Sequence, residues 1–493
     1  MSATAITNST LFVASTVRRQ SRLSSLVDAG LEKSILCGLV ALIAFVSVPY
    51  GTVEPWWIAT FNCAVFGLGT LWLLQTMLHG RWTINNWTIA TPLLLATGFV
   101  FLQGRVSSVD ANETQVLFFR VLAFTTFFIL VSRYTSTSSR LRLMVHTVGV
   151  VALASAVFGI LRYSQQENEA GFWLPFLKRG SGFGQFVNKN HFALLMEMAT
   201  GLLGGFVLGG GVKRNRILFY VTAIAVMWTA LVLTSSRGGL FSMLAQVVFL
   251  TVMLFRMKFA GQCPASFSLS PLTQTSTPEQ FSTTEHYKRL PRQAKARRTF
   301  RKVSVLKWVA AGVLATCLLL AVGISSIWVG GDLLVTRLES LSTEVRSEAT
   351  EPRAGVRRRE VWVATWELFK SHPITGSGFG AYPVAITRFH DATGKWTPEA
   401  AHNDYLELLA SGGLIGAALL IWFAFAFCKA AKHQLQHRDA TRRAICLGAL
   451  TGIFGVATHS AVDFGLHVVV NTLVLLVLIV LATQNIRESQ TNN

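Results

Sequence analysis

Twelve blocks of nearly uninterrupted apolar residues divide this chain, at about 35–50, 56–78, 87–103, 115–132, 143–161, 191–211, 217–234, 238–255, 305–329, 404–428, 444–460 and 465–483. The hydrocarbon core of a bilayer takes about 20 apolar residues of helix, and lipid offers backbone N–H and C=O groups no partner. Blocks of this length therefore close their hydrogen bonds internally, as helices that cross the membrane. The pattern predicts an all-α fold: a polytopic integral membrane protein with about 12 transmembrane helices. Of 493 residues, 51% are hydrophobic and 14% charged, a balance that excludes a soluble globular enzyme.

The placement of charge orients the helices. Lys and Arg number 44 against 24 Asp and Glu, a formal net charge of +20. Short loops rich in Lys and Arg stay in the cytoplasm. With the N-terminus inside, the inner segments hold 28 basic and 6 acidic residues, and the outer segments hold 15 and 14. Both termini are thus expected in the cytoplasm. Residues 1–33 carry Arg18, Arg19 and Arg22 but no small-residue cleavage site, so the first span reads as an uncleaved anchor. The chain divides into an inner N-terminal segment (1–34), eight helices (35–256), an inner loop (257–303), a ninth helix (304–329), an outer loop (330–403), three helices (404–483) and an inner tail (484–493).

The two long loops differ in kind. The inner one ends in the basic run KRLPRQAKARRTFRK at 288–302, which reads as a flexible segment on anionic membrane lipid in preference to a nucleic-acid site. The outer loop is balanced in charge and has helical spacing at Trp362, Trp366 and Phe369, so it is expected to be partly helical. Cysteines at 37, 63, 263, 317, 428 and 446 include no Cys-x-x-Cys pair and none in an outer segment, which indicates neither a disulfide frame nor a metal site.

Polar, titratable residues converge where the outer loop meets the tenth span. Asn403 and Asp404 suit a helix start, where their oxygens accept from free backbone N–H groups, and together with Tyr405 they are also expected to contact substrate. His402, just before them, is not needed as a cap, and an imidazole suits proton transfer from an alcohol near neutral pH. Arg357, Arg358 and Arg359 read either as a solvated basic face answered by Glu351 and Glu360 or as a diphosphate clamp of charge-assisted bonds. Arg237, in SSRGG at 235–239, and Arg120, inside the outer edge of span four, fit a headgroup contact or a substrate contact. In FVNKNHFA at 186–193, Asn188 or Asn190 caps the next helix or joins His191 as a ligand group. Glu197, farther along that span, is a carboxyl in lipid surroundings and a functional candidate by default, although protonation or pairing with a neighbouring helix accounts for it equally. GSGFG at 376–380 lacks the strand and the Gly-Lys-Ser/Thr of a phosphate loop and reads as a tight turn.

In order, Arg358-x-x-x-Trp362, His372-Pro373 with Gly376-x-Gly378, and His402-Asn403-x-Tyr405-Leu406 with Gly413-x-x-Gly416 resemble the bacterial O-antigen ligase and polymerase family over about 60 residues. FVNKNHFA and SSRGG extend the likeness more weakly. The resemblance implies a bacterial inner-membrane glycosyltransferase with a large periplasmic loop. Its donor would be an undecaprenyl-diphosphate-linked glycan and its acceptor a lipid, glycan or protein hydroxyl, with no metal or cofactor. His402 matches the family's catalytic histidine, Arg358 its loop arginine and Arg237 its membrane-edge arginine. The arginine triple departs from a single match, and the basic inner loop is not part of the pattern. A twelve-span transporter and a scaffold protein are the readings from other classes. The long inner loop does not divide the spans six and six, and few ionisable groups lie mid-membrane to couple ions.

Overall fold

The computed structural model describes residues 26–79, 84–165, 182–260, 358–390 and 398–485. The expected ninth span, nearly all of the basic loop, Arg357 and the first part of the outer loop lie outside the described residues. The chain forms two compact units, 1–252 with 352–493, and 253–351. Of the second, only residues up to Ala260 are described; every other described residue belongs to the first.

The described residues are helical, without a strand. Helix α1 spans Leu26–Ser47. It is followed by α2 (Pro55–His79), α3 (Trp87–Val106), α4 (Ala111–Tyr134), α5 (Ser138–Ser164), α6 (Lys189–Leu208), α7 (Ile217–Leu233) and α8 (Arg237–Ala260). After the undescribed stretch come α9 (Arg358–Ser371), α10 (Asp404–Leu435), α11 (Ala440–His459) and α12 (Val469–Thr483). Ten of these are long and apolar enough to cross a membrane, and α12, at 15 residues, is a shorter apolar helix. Together they account for eleven of the twelve expected blocks. The protein is a polytopic all-α membrane protein. Side-chain oxygens of Asp110, Thr137, Asn188, Asn403 and Asp439 cap α4, α5, α6, α10 and α11 by accepting from the first free N–H groups.

Helix α6 is the centre of the first unit, with 83% of its apolar stretch buried against 28% for α2 and α10. It runs against α11 along a seam of glycines. A Cβ at Gly205 would stand 2.4 Å from Gly448 Cα, one at Gly201 2.7 Å from Gly452 N, and one at Gly209 2.8 Å from Ala444 Cα. The pairing is antiparallel, and the backbones touch. Within lipid, apolar side chains gain little by leaving one lipid-like surrounding for another, so close van der Waals approach through small residues holds helices together. Gln246 of α8 ties the seam laterally, donating from Nε2 to Glu197 O (3.0 Å) and Thr451 O (3.1 Å).

The segment 373–379 seats on a break in α10. Gly413 adopts φ 60°, ψ −161°, which frees backbone groups on both sides of it. Leu414 N donates to Pro373 O and Ile415 N to Ile374 O, while Ser377 N and Gly378 N donate to Ala410 O and Ser411 O. Gln103 of α3 completes the joint by donating to Ser411 O (2.7 Å) and accepting from Phe379 N (3.0 Å). GSGFG is thus a turn in which the Ser377 and Gly378 N–H groups are spent on α10, the Gly376 N–H on His372 O and the Phe379 N–H on Gln103. Gly376 has φ +73°, and a Cβ there would lie 2.2 Å from Ser411 O.

Candidate functional site

His402 is held by its neighbours on both sides. Ala401 O accepts from Trp362 Nε1 of α9 (2.9 Å), and Ala401 N donates to Glu407 Oε2 (2.8 Å). On the other side Asn403 Oδ1 caps α10 through Tyr405 N and Leu406 N, and Asp404 N donates to Ser460 O. Between these anchors His402 takes φ 51°, a left-handed conformation uncommon for a side-chain-bearing residue. A strained backbone that persists because its surroundings over-determine it points towards function.

The imidazole of His402, 37% exposed, places Nδ1 3.4 Å from Asp463 Oδ1. Asp463 follows α11 and is buried. Behind it, His459 directs Nε2 towards Asp463 Oδ2 at 3.7 Å, and its Nδ1 meets Glu197 Oε1 of α6 at 2.7 Å. Four titratable groups thus run inward from the exposed His402 to the fully buried Glu197. Burial by itself would raise the Asp463 carboxyl. The contacts from His402 and His459, the Phe464 N–H and the charge of His459 outweigh it, and hold the group well below the ordinary carboxylate range.

Phe464 organises the imidazoles. Its ring meets His402, His191 and His467 edge-on, at centroid distances of 4.7, 5.0 and 5.6 Å. His467 Nε2 pairs with Glu407 Oε1 (3.1 Å) and approaches Asp404 Oδ1 (4.0 Å). Burial would lower the His467 pKa, but Glu407 and then Asp404 reverse that and raise it above the ordinary value, against an opposing contribution from Arg120. That opposition brings Arg120 of α4 into the same neighbourhood.

The SSRGG segment docks at the inner end of this row. A Cβ on Gly238 would lie 2.9 Å from His459 Nε2, and one on Gly239 would lie 2.9 Å from Ala193 Cβ and 3.3 Å from Glu197 Oε1. Any side chain larger than hydrogen would push α8 away. The two glycines therefore set the start of α8, with Arg237 exposed on its first turn, against the buried pair.

Arg358 and Arg359 separate by helix face. Arg358 lies one turn before Trp362 and shares a stripe with buried Val361 and Thr365. Arg359 lies one turn before Val363, which is 57% exposed, and Arg357 is outside the described residues. The remaining expected site residues are distributed unevenly. Asn188 is occupied as the α6 cap, accepting from Asn190 N at 2.9 Å, and Asn403 caps α10. His191 is buried in the cluster, with its Nε2 unpartnered among the described residues. Tyr405 donates to Ala457 O at 2.7 Å, which ties α10 to α11.

Asp463, His459, His467 and Glu407 were not singled out from sequence. The available signal was the i, i+4 pair His459 and Asp463 at the end of an apolar block. Among the described residues, no group of three or more His, Cys, Asp or Glu side chains is arranged to hold a metal ion.

Comparison with known families matches residues 222–421 to the O-antigen ligase family. The matched region contains Arg237, Arg358 and His402 and ends before His459 and Asp463. No curated protein matches the chain.

Proposed function

We propose, for a chain whose residues 222–421 carry the O-antigen ligase domain and which thereby falls in the O-antigen ligase and polymerase family, a specific glycan transfer. The donor is a glycan on undecaprenyl diphosphate, the acceptor is a hydroxyl, and the reaction takes place at the periplasmic face of the bacterial inner membrane. A membrane protein of this family acts on lipid-linked glycan and acceptor in general; the donor, the compartment and the residue roles are our reading.

His402 Nε2 accepts the proton of the acceptor hydroxyl as its oxygen attacks the anomeric carbon. The bond from that carbon to the diphosphate oxygen breaks, and undecaprenyl diphosphate leaves with the bonding electrons. A single displacement of this kind inverts the anomeric centre. Asp463, on Nδ1, holds the ring in the orientation that turns Nε2 outward and stabilises the imidazolium that forms. Arg237 and Arg358 offset the charge that grows on the leaving diphosphate, as oxyanion donors do at about 3–4 kcal/mol each. Arg120, Arg359 and His191 are assigned to binding the donor or acceptor around this centre, and the undescribed Arg357 stays with them.

The observation that carries the reading is His402 itself: partly exposed, anchored on both sides, left-handed in backbone and set on a buried carboxylate. A His402→Ala protein that inserts at the wild-type level is expected to lose transfer in membranes, and full retained transfer would refute the assignment. Deleting the gene identifies the acceptor. Shortened chains still attached indicate polymerisation, full-length chains stranded on the lipid carrier indicate ligation, and loss of glycan from protein indicates O-glycosylation. Unchanged glycans together with lost movement of a solute would replace the reading with a transporter.

A further inference from the structure

We infer that His459 and Glu197 are positioning residues for His402: Glu197 holds His459 as a cation, and that cation orients Asp463 and offsets its charge, so that Asp463 in turn sets His402 for its role as a base. The inference rests on the base role given to His402 and extends it two residues inward.

Geometry carries the argument. Both ring nitrogens of His459 face carboxylate oxygens, Glu197 Oε1 at 2.7 Å and Asp463 Oδ2 at 3.7 Å. An ionised carboxylate only accepts, so an imidazole between two of them is matched when both nitrogens carry hydrogen. Side-chain exposure is 1% for His459, 0% for Glu197 and 2% for Asp463, so the charges interact with little screening by water. Asp463 Oδ2 has no hydrogen-bond partner among the described residues. His459 is the cationic group facing it.

A purely structural clamp is the competing account, and the packing makes it unnecessary. The glycine seam and Gln246 already join α6, α8 and α11. Burying a carboxylate and an imidazolium costs more than well-packed apolar side chains of similar volume would. Gly238 and Gly239 preserve the space that this costly pair occupies.

The sign of the effect follows from the surrounding charges. Among the described residues, the titratable groups near His402 and Asp463 are His459 on α11, Glu197 and His191 on α6, Asp404 and Glu407 on α10, and His467 ahead of α12. Arg120 on α4 acts on His467, and Arg237 opens α8, whose Gly238 and Gly239 pack against His459 and Glu197. With His459 cationic, the Asp463 charge is partly offset and draws a proton to His402 less strongly. Without that cation, Asp463 acts on His402 alone, and protonation of His402 extends to higher pH.

The test uses the full-length protein in lipid nanodiscs and diethylpyrocarbonate, which acylates an imidazole only in its unprotonated form. Modification of His402 is followed against pH by mass spectrometry. In His459→Gln the midpoint is expected to move up by about half a pH unit or more. Transfer measured in membranes should show kcat falling about tenfold with KM within about twofold. Glu197→Gln, a milder change, should move the midpoint in the same direction. An unchanged or lowered midpoint in a correctly inserted variant overturns the inference, even if kcat falls, because a structural role alone would leave the midpoint in place. Full activity of His402→Ala would overturn the base role instead. The midpoint needs no transfer and decides the effect on His402 separately.

Discussion

Gly204 and Gly205 are neighbours on α6, and the structure predicts opposite consequences for replacing them. A Cβ at Gly205 would lie 2.4 Å from Gly448 Cα, 2.6 Å from Gly448 N and 2.9 Å from Leu447 C. All three are backbone atoms, so no side chain can rotate away. Carbon atoms settle at about 3.5–4.0 Å, and α6 and α11 must therefore separate by about 1 Å. Overpacking usually costs about 1–3 kcal/mol, and an obstacle made of backbone belongs at the upper end. At about 3 kcal/mol, Gly205→Ala lowers the folded-to-unfolded ratio more than a hundredfold. A Cβ at Gly204 would meet only Leu250 Cδ2, at 3.9 Å, an ordinary contact, and alanine there also removes the conformational freedom of glycine in a helix. Gly204→Ala should be neutral or mildly stabilising. Reversible unfolding of both proteins in mixed micelles, followed by tryptophan fluorescence, measures the difference directly. Glu197 lies eight residues along α6 from Gly205, about 12 Å at 1.5 Å per residue, so Gly205→Ala should also depress transfer by loosening the Glu197–His459 contact. Equal stability of the two variants would refute the view that backbone contact at the seam sets how closely these helices pack.

Two further outcomes follow from the charges of the site. Asp463→Asn removes the anion beside His402, so the acidic limb of the pH–rate profile should move to lower pH by about one unit, opposite to His459→Gln, while kcat falls; an unmoved limb would count against the contact. His467 is raised above its unfolded value, so its contribution to stability is complete below about pH 6.5 and is lost as pH rises through the folded value. Unfolding of His467→Gln compared with wild type should therefore show its largest deficit in mildly acidic buffer and a shrinking one in alkaline buffer, and a deficit independent of pH would refute the pairing with Glu407.

Much of the local structure was legible because it depends on neighbours in sequence. The cap roles of Asn188 and Asn403 follow from side-chain oxygens placed just before apolar helices, and both cap in the structure. The turn at GSGFG was legible as a turn, but its docking on the break at Gly413 was not, since that break appears only when α10 meets the loop. Arg358 could not be separated from Arg359 until α9 showed which face carries Trp362. Glu197 was visible as a carboxyl in an apolar block, whereas its partner was not, for the hydrogen bond to His459 spans 262 residues of chain.

The sequence by itself determined that the chain crosses a membrane many times, approximately where each helix lies, and that polar residues gather before α10. Those properties come from the length of each apolar run against the thickness of lipid, a comparison made along one dimension. Tertiary structure alone decided which titratable groups meet. Whether Glu197 reaches His459, and His459 reaches Asp463, depends on how closely and at what register α6, α8 and α11 pack. That closeness is set by glycine contacts between helices far apart in the chain, and no local pattern specifies which glycine faces which.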